Sequence, residues 1–339
     1  MTTFFILLGL IWGIGEAITR WLYHPDSPYF NIAEIDEKLG WKPKANFKLS
    51  QTIHNYVEGE YEAEYQTVRD GFRAFGNVNS DKFKVFFLGD SYTQSVEVSN
   101  HQTFYHLLQD SLPIEVFAFG MAGYGNLQEY LILEQFVDEI QPDLVVLQVC
   151  DNDFMDNHYK LGREAHYVVK LEKPFMGLDG QIRYLRPVSD WQNLISGSKF
   201  LAYLGRGISN LSPRPKGSDP SSAEYKINHD AEGYPAYQEA KQISKLIFDR
   251  FRSLLEQKNS DFLVMSSFAF PPQVDDQQEV LEELGITFVY QPSADLIYAK
   301  RQGENVNAAD GFHWNPTGHH MIAKGLLPHI RQRMGLSNP

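Results

Sequence analysis

Five short apolar runs recur along the chain, at residues 84–90, 114–120, 143–149, 261–269 and 286–292. Glycine, proline or aspartate bounds each run, and apolar positions are consecutive in them, not alternating with polar ones. Consecutive apolar positions are typical of strands that are buried on both faces, as in a parallel sheet. The pattern therefore predicts a parallel sheet of about five strands.

Stretches with helical periodicity lie between these runs and after the last of them, at residues 102–112, 126–140, 236–257, 273–285 and 315–334. The apolar positions of 126–140 form a wide face, as expected for a helix that packs on a sheet. Strands and helices in alternation predict right-handed crossovers and a three-layer α/β/α sandwich.

Two segments depart from this alternation. Residues 154–235 form an insertion, with a predicted hairpin that turns at 178–181 and a polar stretch at 213–235 that predicts a long loop. Residues 24–80 are mixed and partly acidic, and they predict a loop-rich prelude with about two short strands, the second near 65–72. The expected organisation is an N-terminal helix at 1–23, the prelude at 24–80 packed on the main domain, and an α/β domain at 81–339.

The N-terminal residues 2–15 carry no charged side chain. A helix that continued to Tyr23 would be about 33 Å long, enough to cross a bilayer, so a hydrophobic membrane anchor is expected here. Trp21 and Tyr23 would lie at an interface, and Arg20 with Glu16 leaves the orientation undetermined. A cleaved signal peptide and a helix docked on the protein's own surface are the alternatives.

Charge and cysteine content narrow the classes of partner. A net charge of -13 argues against nucleic acid, because a phosphate backbone requires a basic face. Cys150 is the only cysteine, which excludes an intramolecular disulfide and a cysteine-based zinc cluster. His319 and His320 do not favour a metal site, since adjacent side chains on a helix point to different sides.

Polar residues and glycine follow the predicted strands. Ser91 follows the first strand, the glycine-rich segment 120–126 the second and Asn152 the third, and Asp310 and His313 come after the fifth. Because ligands bind beyond the carboxyl ends of parallel strands, we expect these residues to meet at one edge of the sheet. Together they are the groups that acyl transfer requires.

The chemistry of these groups predicts their roles. Ser91 would attack an ester carbonyl, His313 would take the serine proton and donate it to the leaving alcohol, and Asp310 would hold the imidazole. The N–H groups of Ser91 and Gly123 and the side-chain NH₂ of Asn152 would stabilise the oxyanion. Glycine suits this position because the lack of a Cβ lets its N–H approach the substrate.

Four segments resemble, in order, the sequence blocks of the SGNH/GDSL hydrolases: "GDSYT" (89–93), "GMAGYGN" (120–126), "DND" (151–153) and "DGFH" (310–313). The resemblance covers roughly residues 84–153 and 261–325. Members of that family are serine esterases, lipases and carbohydrate deacetylases on a flavodoxin-like α/β/α fold. The resemblance implies this fold, the roles given above for the five site residues, and a reaction without metal or organic cofactor.

Two positions depart from the family pattern. Tyr92 stands where the family name has leucine, and Asp151 stands where a glycine commonly precedes the asparagine. A carboxylate beside an oxyanion hole is unfavourable unless it points away or binds a donor. Asp90, next to the serine, is expected to cap the following helix instead of taking part in catalysis.

The resemblance implies an esterase (EC 3.1.1.-) that acts on a small-molecule or glycan ester, with a short acyl group such as acetyl favoured by analogy. An O-acyltransferase with the same triad and an inactive binding protein on the same fold are the alternatives. Residues 36–46 and 68–73 are similar to the prelude of a bacterial, membrane-anchored branch of the family, which implies a catalytic domain outside the cytoplasm. The oligomeric state is not indicated.

Overall fold

A mixed sheet of six strands, flanked by helices, lies at the centre of the protein. The structure is a computed structural model, and it describes residues 2–22, 31–55, 59–188, 198, 200–201, 219–268 and 270–337. In chain order the strands are β1 (Ala33–Asp36), β2 (Gly40–Pro43), β3 (Lys48–Asn55), β4 (Gly59–Gln66), β5 (Ala74–Phe75), β6 (Phe83–Gly89), β7 (Ile114–Gly120), β8 (Leu144–Val149), β9 (Lys173–Met176), β10 (Ile182–Leu185), β11 (Asp261–Ser266) and β12 (Thr287–Val289). The helices are α1 (Thr2–Leu22), α2 (Ser91–Gln94), α3 (Phe104–Ser111), α4 (Asn126–Ile140), α5 (Asp153–Asn157), α6 (Tyr159–Glu164), α7 (Ala223–Asp230), α8 (Pro235–Lys258), α9 (Gln273–Glu283), α10 (Gln291–Arg301) and α11 (Pro316–Arg333).

The strand order of the central sheet is β12-β11-β8-β6-β7-β5. The first five of these strands are parallel, and they confirm the predicted parallel sheet. Their order is that of flavodoxin-like sheets, whose ligands bind where the chain switches direction, here beyond β6 and β8. The sixth strand, β5, pairs antiparallel with β7. It was not predicted, because two residues are too few to show a hydrophobic period.

Both faces of the sheet are covered, which explains the continuous apolar runs. Along β6, Phe86 and Leu88 pack into one core cluster with α4, α8 and α9. Val85 and Phe87, which point to the other face, pack into a second cluster with α3, α10 and α11. Successive side chains of a strand face opposite sides, so a strand between two helical layers must be apolar at every position. The three-layer α/β/α arrangement follows.

The prelude contains more regular structure than predicted. Hairpins β1–β2 and β3–β4 and the short strand β5 give five strands among the described residues, instead of about two. The strand predicted near 65–72 is wrong in its extent, since β4 ends at Gln66 and residues 69–71 form a 3₁₀ turn. Trp41 on β2 is buried, and its Nε1 donates to Ala122 O at 3.1 Å. The prelude therefore contacts the glycine-rich loop, while the division of the chain at residues 23 and 80 stays a prediction.

The insertion contains the predicted hairpin, formed by β9 and β10, with Gly177 N donating to Gln181 O at 3.0 Å across the turn. The polar stretch at 213–235 is partly a helix, α7, and the prediction of a loop there is wrong for 223–230. Ser222 caps α7 by accepting the Tyr225 N–H at 3.1 Å, and Ile227 is buried beneath it. Residues 189–197, 199 and 202–218 of the predicted insertion lie outside the described residues.

The predicted membrane anchor is not supported. In the part of the chain that the structure describes, no helix is both long and apolar enough to span a membrane. Residues 2–22 do form a helix, but Glu16 and Thr19 interrupt its apolar sequence, and both are buried. The Glu16 carboxylate accepts hydrogen bonds from Ser198 Oγ at 2.6 Å and Phe200 N at 3.1 Å, so this side of the helix contacts the insertion. That the α/β domain lies outside the cytoplasm stays a prediction.

Candidate active site

Ser91 lies at the first position of α2, immediately beyond the carboxyl end of β6. The Asp90 carboxylate accepts the Tyr92 N–H at 2.9 Å and so caps this short helix, as predicted. Gln148 on β8 accepts the Asp90 N–H at 3.2 Å. The turn that presents the serine is thus held from two neighbouring strands. Burial is the largest influence on Asp90, and it raises the pKa of that carboxyl to about 6.

His313 links Ser91 to Asp310. Its Nε2 lies 2.8 Å from Ser91 Oγ, and its Nδ1 is hydrogen-bonded to Asp310 Oδ2. The other oxygen of Asp310 accepts the N–H groups of Phe312 at 2.9 Å and His313 at 3.1 Å. The loop therefore folds around the carboxylate, which leaves the imidazole little freedom to turn. Ser91, which precedes Asp310 by 219 positions and His313 by 222, thus meets the histidine within hydrogen-bonding distance.

A second carboxylate, Glu97, also faces the imidazole. Its Oε1 lies 3.3 Å from His313 Nδ1, and its Oε2 is buried without a hydrogen-bond partner among the described residues. Glu97 reaches this place because Ser95 adopts a left-handed conformation, with φ of 51°, and turns the chain back after α2. The sequence analysis missed Glu97, since a single glutamate after a short helix carries no distinctive signal.

The surrounding charges set the protonation of the site. Burial alone would lower the pKa of His313, but the hydrogen bond to Asp310 and the negative charges of Glu97, Asp310 and Asp90 outweigh burial and raise that pKa to about 9. Burial raises the pKa of Glu97. Burial also acts to raise the pKa of Asp310, but its contacts with His313 dominate and the net pKa is lowered. The imidazole is therefore protonated at neutral pH before a substrate binds.

Gly123 and Asn152 line the same pocket as Ser91 and His313. Gly123 has φ of +78°, and a Cβ there would overlap with the side chain of Val169. Its N–H donates to no acceptor within the described part of the chain, so this donor is available to a ligand. These positions agree with an oxyanion hole beside the serine.

The Asn152 side chain is held from behind by a buried ion pair. Asn152 Nδ2 donates to Asp156 Oδ2 at 2.7 Å, and Asp156 Oδ1 lies 2.5 Å from Lys173 Nζ on β9. The side chains of Asp156 and Lys173 are 1% and 0% exposed. Asp156 follows Asn152 by four residues, so helical spacing could have indicated that contact. Lys173 comes from the distant hairpin, and nothing in the sequence connects it to the site.

The two departures from the family pattern are accommodated. The Tyr92 ring packs against His313, with ring centroids 4.9 Å apart, and its hydroxyl donates to Phe312 O at 3.3 Å. Tyr92 therefore helps to hold the histidine loop. Asp151 is exposed, and it accepts a hydrogen bond from Cys150 Sγ at 3.4 Å. Cys150 itself is buried, as predicted.

A pocket with a volume of about 750 Å³ opens over these groups. The residues lining it come from all parts of the fold: Ile32, Ser91, Tyr92, Gln94, Val96, Glu97, Ala122, Gly123, Cys150, Asp151, Asn152, Met155, Tyr167, Val169, Glu224, Asn228, Phe270, Pro271, Gln273, Phe312 and His313. Residues of the prelude and of the insertion thus complete a cavity whose chemical centre belongs to the α/β domain.

His319 is a buried residue of the C-terminal helix α11. Burial lowers its pKa to about 3, and its Nδ1 accepts the Phe104 N–H at 3.3 Å.

Among the described residues, one group could offer three metal ligands, formed by Glu97, Asp310 and His313. In that group the Nδ1 of His313 is already hydrogen-bonded to Asp310, so a metal there would have to displace the contact that orients the imidazole.

The chain is similar in sequence to one known protein family and in chain path to several solved structures. The sequence model of the family described as GDSL-like Lipase/Acylhydrolase matches residues 85–326, and no curated protein sequence matches the chain. Solved structures with a similar chain path include TesA, at 12% identity and a TM-score of 0.40 over 74% of this chain and 99% of that one. They also include the psychrotrophic esterase EstA from Pseudoalteromonas sp., at 10% identity and a TM-score of 0.41 over 75% and 99%. The acetyl xylan esterase AlAXEase is 15% identical, with a TM-score of 0.40 over 73% and 99%.

Proposed function

This chain belongs to the GDSL-like lipase/acylhydrolase family and is an ester-hydrolysing enzyme, and from that premise we propose that it is a serine esterase with Ser91, His313 and Asp310 as its triad. The observation that carries the proposal is the 2.8 Å contact between Ser91 Oγ and His313 Nε2, with Asp310 on the opposite ring nitrogen. A nucleophile, a base and a group that orients the base are the parts that activate a serine.

The reaction proceeds in two steps. In the first, Ser91 Oγ bonds to the ester carbonyl carbon as its proton passes to His313 Nε2, and the proton then goes to the alcohol oxygen as the carbon–oxygen bond breaks. In the second, a water molecule gives a proton to His313, attacks the acyl-serine and releases the acid, and Ser91 recovers its proton. The N–H groups of Ser91 and Gly123 and the amide of Asn152 stabilise the oxyanion in both steps. Since His313 must be neutral to act as the base, its raised pKa makes the enzyme most active in alkaline solution.

We propose a short acyl group for the substrate, such as acetyl. Polar side chains interrupt the apolar walls of the pocket, among them Asp151, Asn228 and Gln273. A long alkyl chain would displace water from these polar groups, at a cost in binding. The alternative of acyl transfer to a sugar hydroxyl differs only in the acceptor that attacks the acyl-serine, and acetate release compared with acetylated product measures the partition between the two.

Trapping with a fluorophosphonate probe, followed by peptide mapping, tests the proposed nucleophile. The probe should attach to Ser91, and both labelling and hydrolysis of p-nitrophenyl acetate should be lost in Ser91→Ala and His313→Ala. Ser111→Ala, at an exposed serine at the end of α3, is the matched control and should behave as the wild type. Labelling of another serine, or equal activity of the wild type and the two triad variants, would overturn the assignment.

A further inference from the structure

Apart from His313, the charged side chains that line the pocket are acidic. Three carboxylates, Glu97, Asp151 and Glu224, line it, and no lysine or arginine does so among the described residues. The nearby lysines are engaged elsewhere: Lys226 Nζ lies 2.5 Å from Glu164, and Lys170 Nζ donates to backbone carbonyls that include Ala165 O at 2.7 Å. An anionic ligand would therefore enter a cavity without a cation to pair with it except the imidazole.

Glu224 is held in place but only half satisfied. The residue is 7% exposed, and its Oε1 accepts the N–H groups of His166 at 2.6 Å and Tyr167 at 3.2 Å. Its Oε2 is buried and has no hydrogen-bond partner among the described residues. A buried carboxylate oxygen without a donor is costly, so a ligand that brings a donor gains the full value of the hydrogen bond. The backbone clamp on Oε1 means that this acceptor is already positioned before a ligand arrives.

The rim of the same pocket carries exposed aromatic side chains, Tyr167, Phe270 and Phe312. Aromatic faces pack on the carbon–hydrogen face of a sugar or polyol, and they also attract an ammonium group. Two carboxylate oxygens that lack a donor among the described residues, Glu97 Oε2 and Glu224 Oε2, thus belong to the same pocket as these aromatic faces. This combination fits an organic group rich in hydroxyl or ammonium hydrogens.

We propose that the pocket selects esters whose alcohol part carries hydroxyl or ammonium donors close to the ester oxygen, with Glu224 and Asp151 as the acceptors, and that it excludes alcohols that carry an anion. The inference rests on the proposed esterase function and names its substrate class. Hydroxyl and ammonium donors have the same chemistry toward a carboxylate. Polyols and cationic alcohols are therefore separated by experiment.

The test compares kcat/KM for four acetate esters of similar size: glycerol monoacetate, acetylcholine, propyl acetate and 2-acetoxyethanesulfonate. The sulfonate ester should be the poorest substrate, by about tenfold or more against propyl acetate at low salt, and added salt should narrow this difference. Glycerol monoacetate should exceed propyl acetate by about tenfold if hydroxyl donors are recognised. A preference for acetylcholine instead would show that positive charge is what the carboxylates bind.

Glu224→Gln and Asp151→Asn should reduce the ratio of kcat/KM for the preferred ester to kcat/KM for propyl acetate. Glu232 is an exposed acid beyond the end of α7, and Glu232→Gln should leave this ratio unchanged. Each ratio is measured on a single preparation, so it does not depend on the fraction of folded protein. Equal kcat/KM for all four esters, or ratios that do not move in Glu224→Gln, would overturn the substrate class while leaving the esterase intact. Failure to cleave any ester, p-nitrophenyl acetate included, would overturn both.

Discussion

The buried pair of Lys173 and Asp156 allows a sharp test of how the insertion supports the site. Neither side chain is more than 1% exposed, and their charged atoms lie 2.5 Å apart. Lys173→Met leaves the Asp156 carboxylate buried and unpaired, and breaking a buried pair in this way costs about 3–5 kcal/mol. Domains of ordinary stability have about 5–15 kcal/mol in total. The variant should therefore fold with a much reduced free energy of unfolding.

The same substitution at Lys226 is the matched control. Lys226 pairs with Glu164 at 2.5 Å, but its side chain is 34% exposed. Exposed pairs contribute about 0–1 kcal/mol, so Lys226→Met should change the stability little. Urea unfolding followed by tryptophan fluorescence measures both variants. A Lys173→Met protein as stable as Lys226→Met would refute the argument from burial.

The pH dependence of the penalty has a definite sign. Burial, the largest influence, raises the pKa of Asp156 in the wild type, and Lys173 opposes that rise. Without the lysine the pKa rises further, so the folded protein binds a proton that the unfolded chain releases near pH 4. The loss of stability in Lys173→Met, relative to the wild type, should therefore be small at low pH, where the carboxyl is protonated in both proteins. It should grow as the pH rises through the pKa of Asp156 in the folded wild type, which lies above the ordinary value. A penalty that is constant with pH would contradict this reasoning.

Two double variants separate stability from catalysis. Asp156→Leu/Lys173→Met removes both charges and should recover stability, because apolar residues can replace a buried ion pair. It also removes the acceptor of the Asn152 amide, and kcat should fall about tenfold to a hundredfold with little change in KM, since an oxyanion donor is worth about 10²–10³ in kcat. Asp156→Asn/Lys173→Met keeps an acceptor at that position and should retain most of the rate. Equal kcat in the two double variants would show that Asp156 does not position Asn152.

Three further predictions concern the site itself. The kcat/KM for p-nitrophenyl acetate should rise with pH toward about 9, the pKa of His313. Glu97→Gln should move this pH profile to lower pH, because it removes a negative charge 3.3 Å from His313 Nδ1. An unmoved profile would show that Glu97 does not raise the pKa of His313. The raised His313 pKa also contributes stability that is complete below about pH 6.5 and lost as the pH rises through about 9, which pH-dependent unfolding measures. Gly123→Ala should lower kcat by about tenfold or more, because φ of +78° and the Val169 side chain leave no place for a Cβ. Gly180→Ala, with φ of +73° in the β9–β10 turn, should cost stability but leave kcat unchanged, and equal losses of kcat would point to a general effect on folding.

Local patterns in the sequence were sufficient for the parallel sheet and for the proposed site residues. Strands buried on both faces must be apolar at each position, so β6, β7 and β8 are visible as unbroken runs. Polar residues that follow such runs must lie at one edge of the sheet. From that rule the sequence predicts that Ser91 and His313 meet, and their side chains lie 2.8 Å apart. Capping by Asp90 is equally local, since donor and acceptor are two residues apart.

Contacts between distant segments were decided only by the tertiary structure. Glu97 reaches His313 through a left-handed turn at Ser95. A serine in the sequence does not predict this conformation, because non-glycine residues rarely adopt it. Lys173 is a buried cation only because the β9–β10 hairpin places it beside Asp156 of α5. The N-terminal helix shows the same limit, because its apolar composition predicted a membrane anchor, and the burial of Glu16 against Ser198 depends on a contact 182 residues away. Hydrophobic period is a property of neighbouring residues, whereas the partner of a buried charge is fixed by how the whole chain packs.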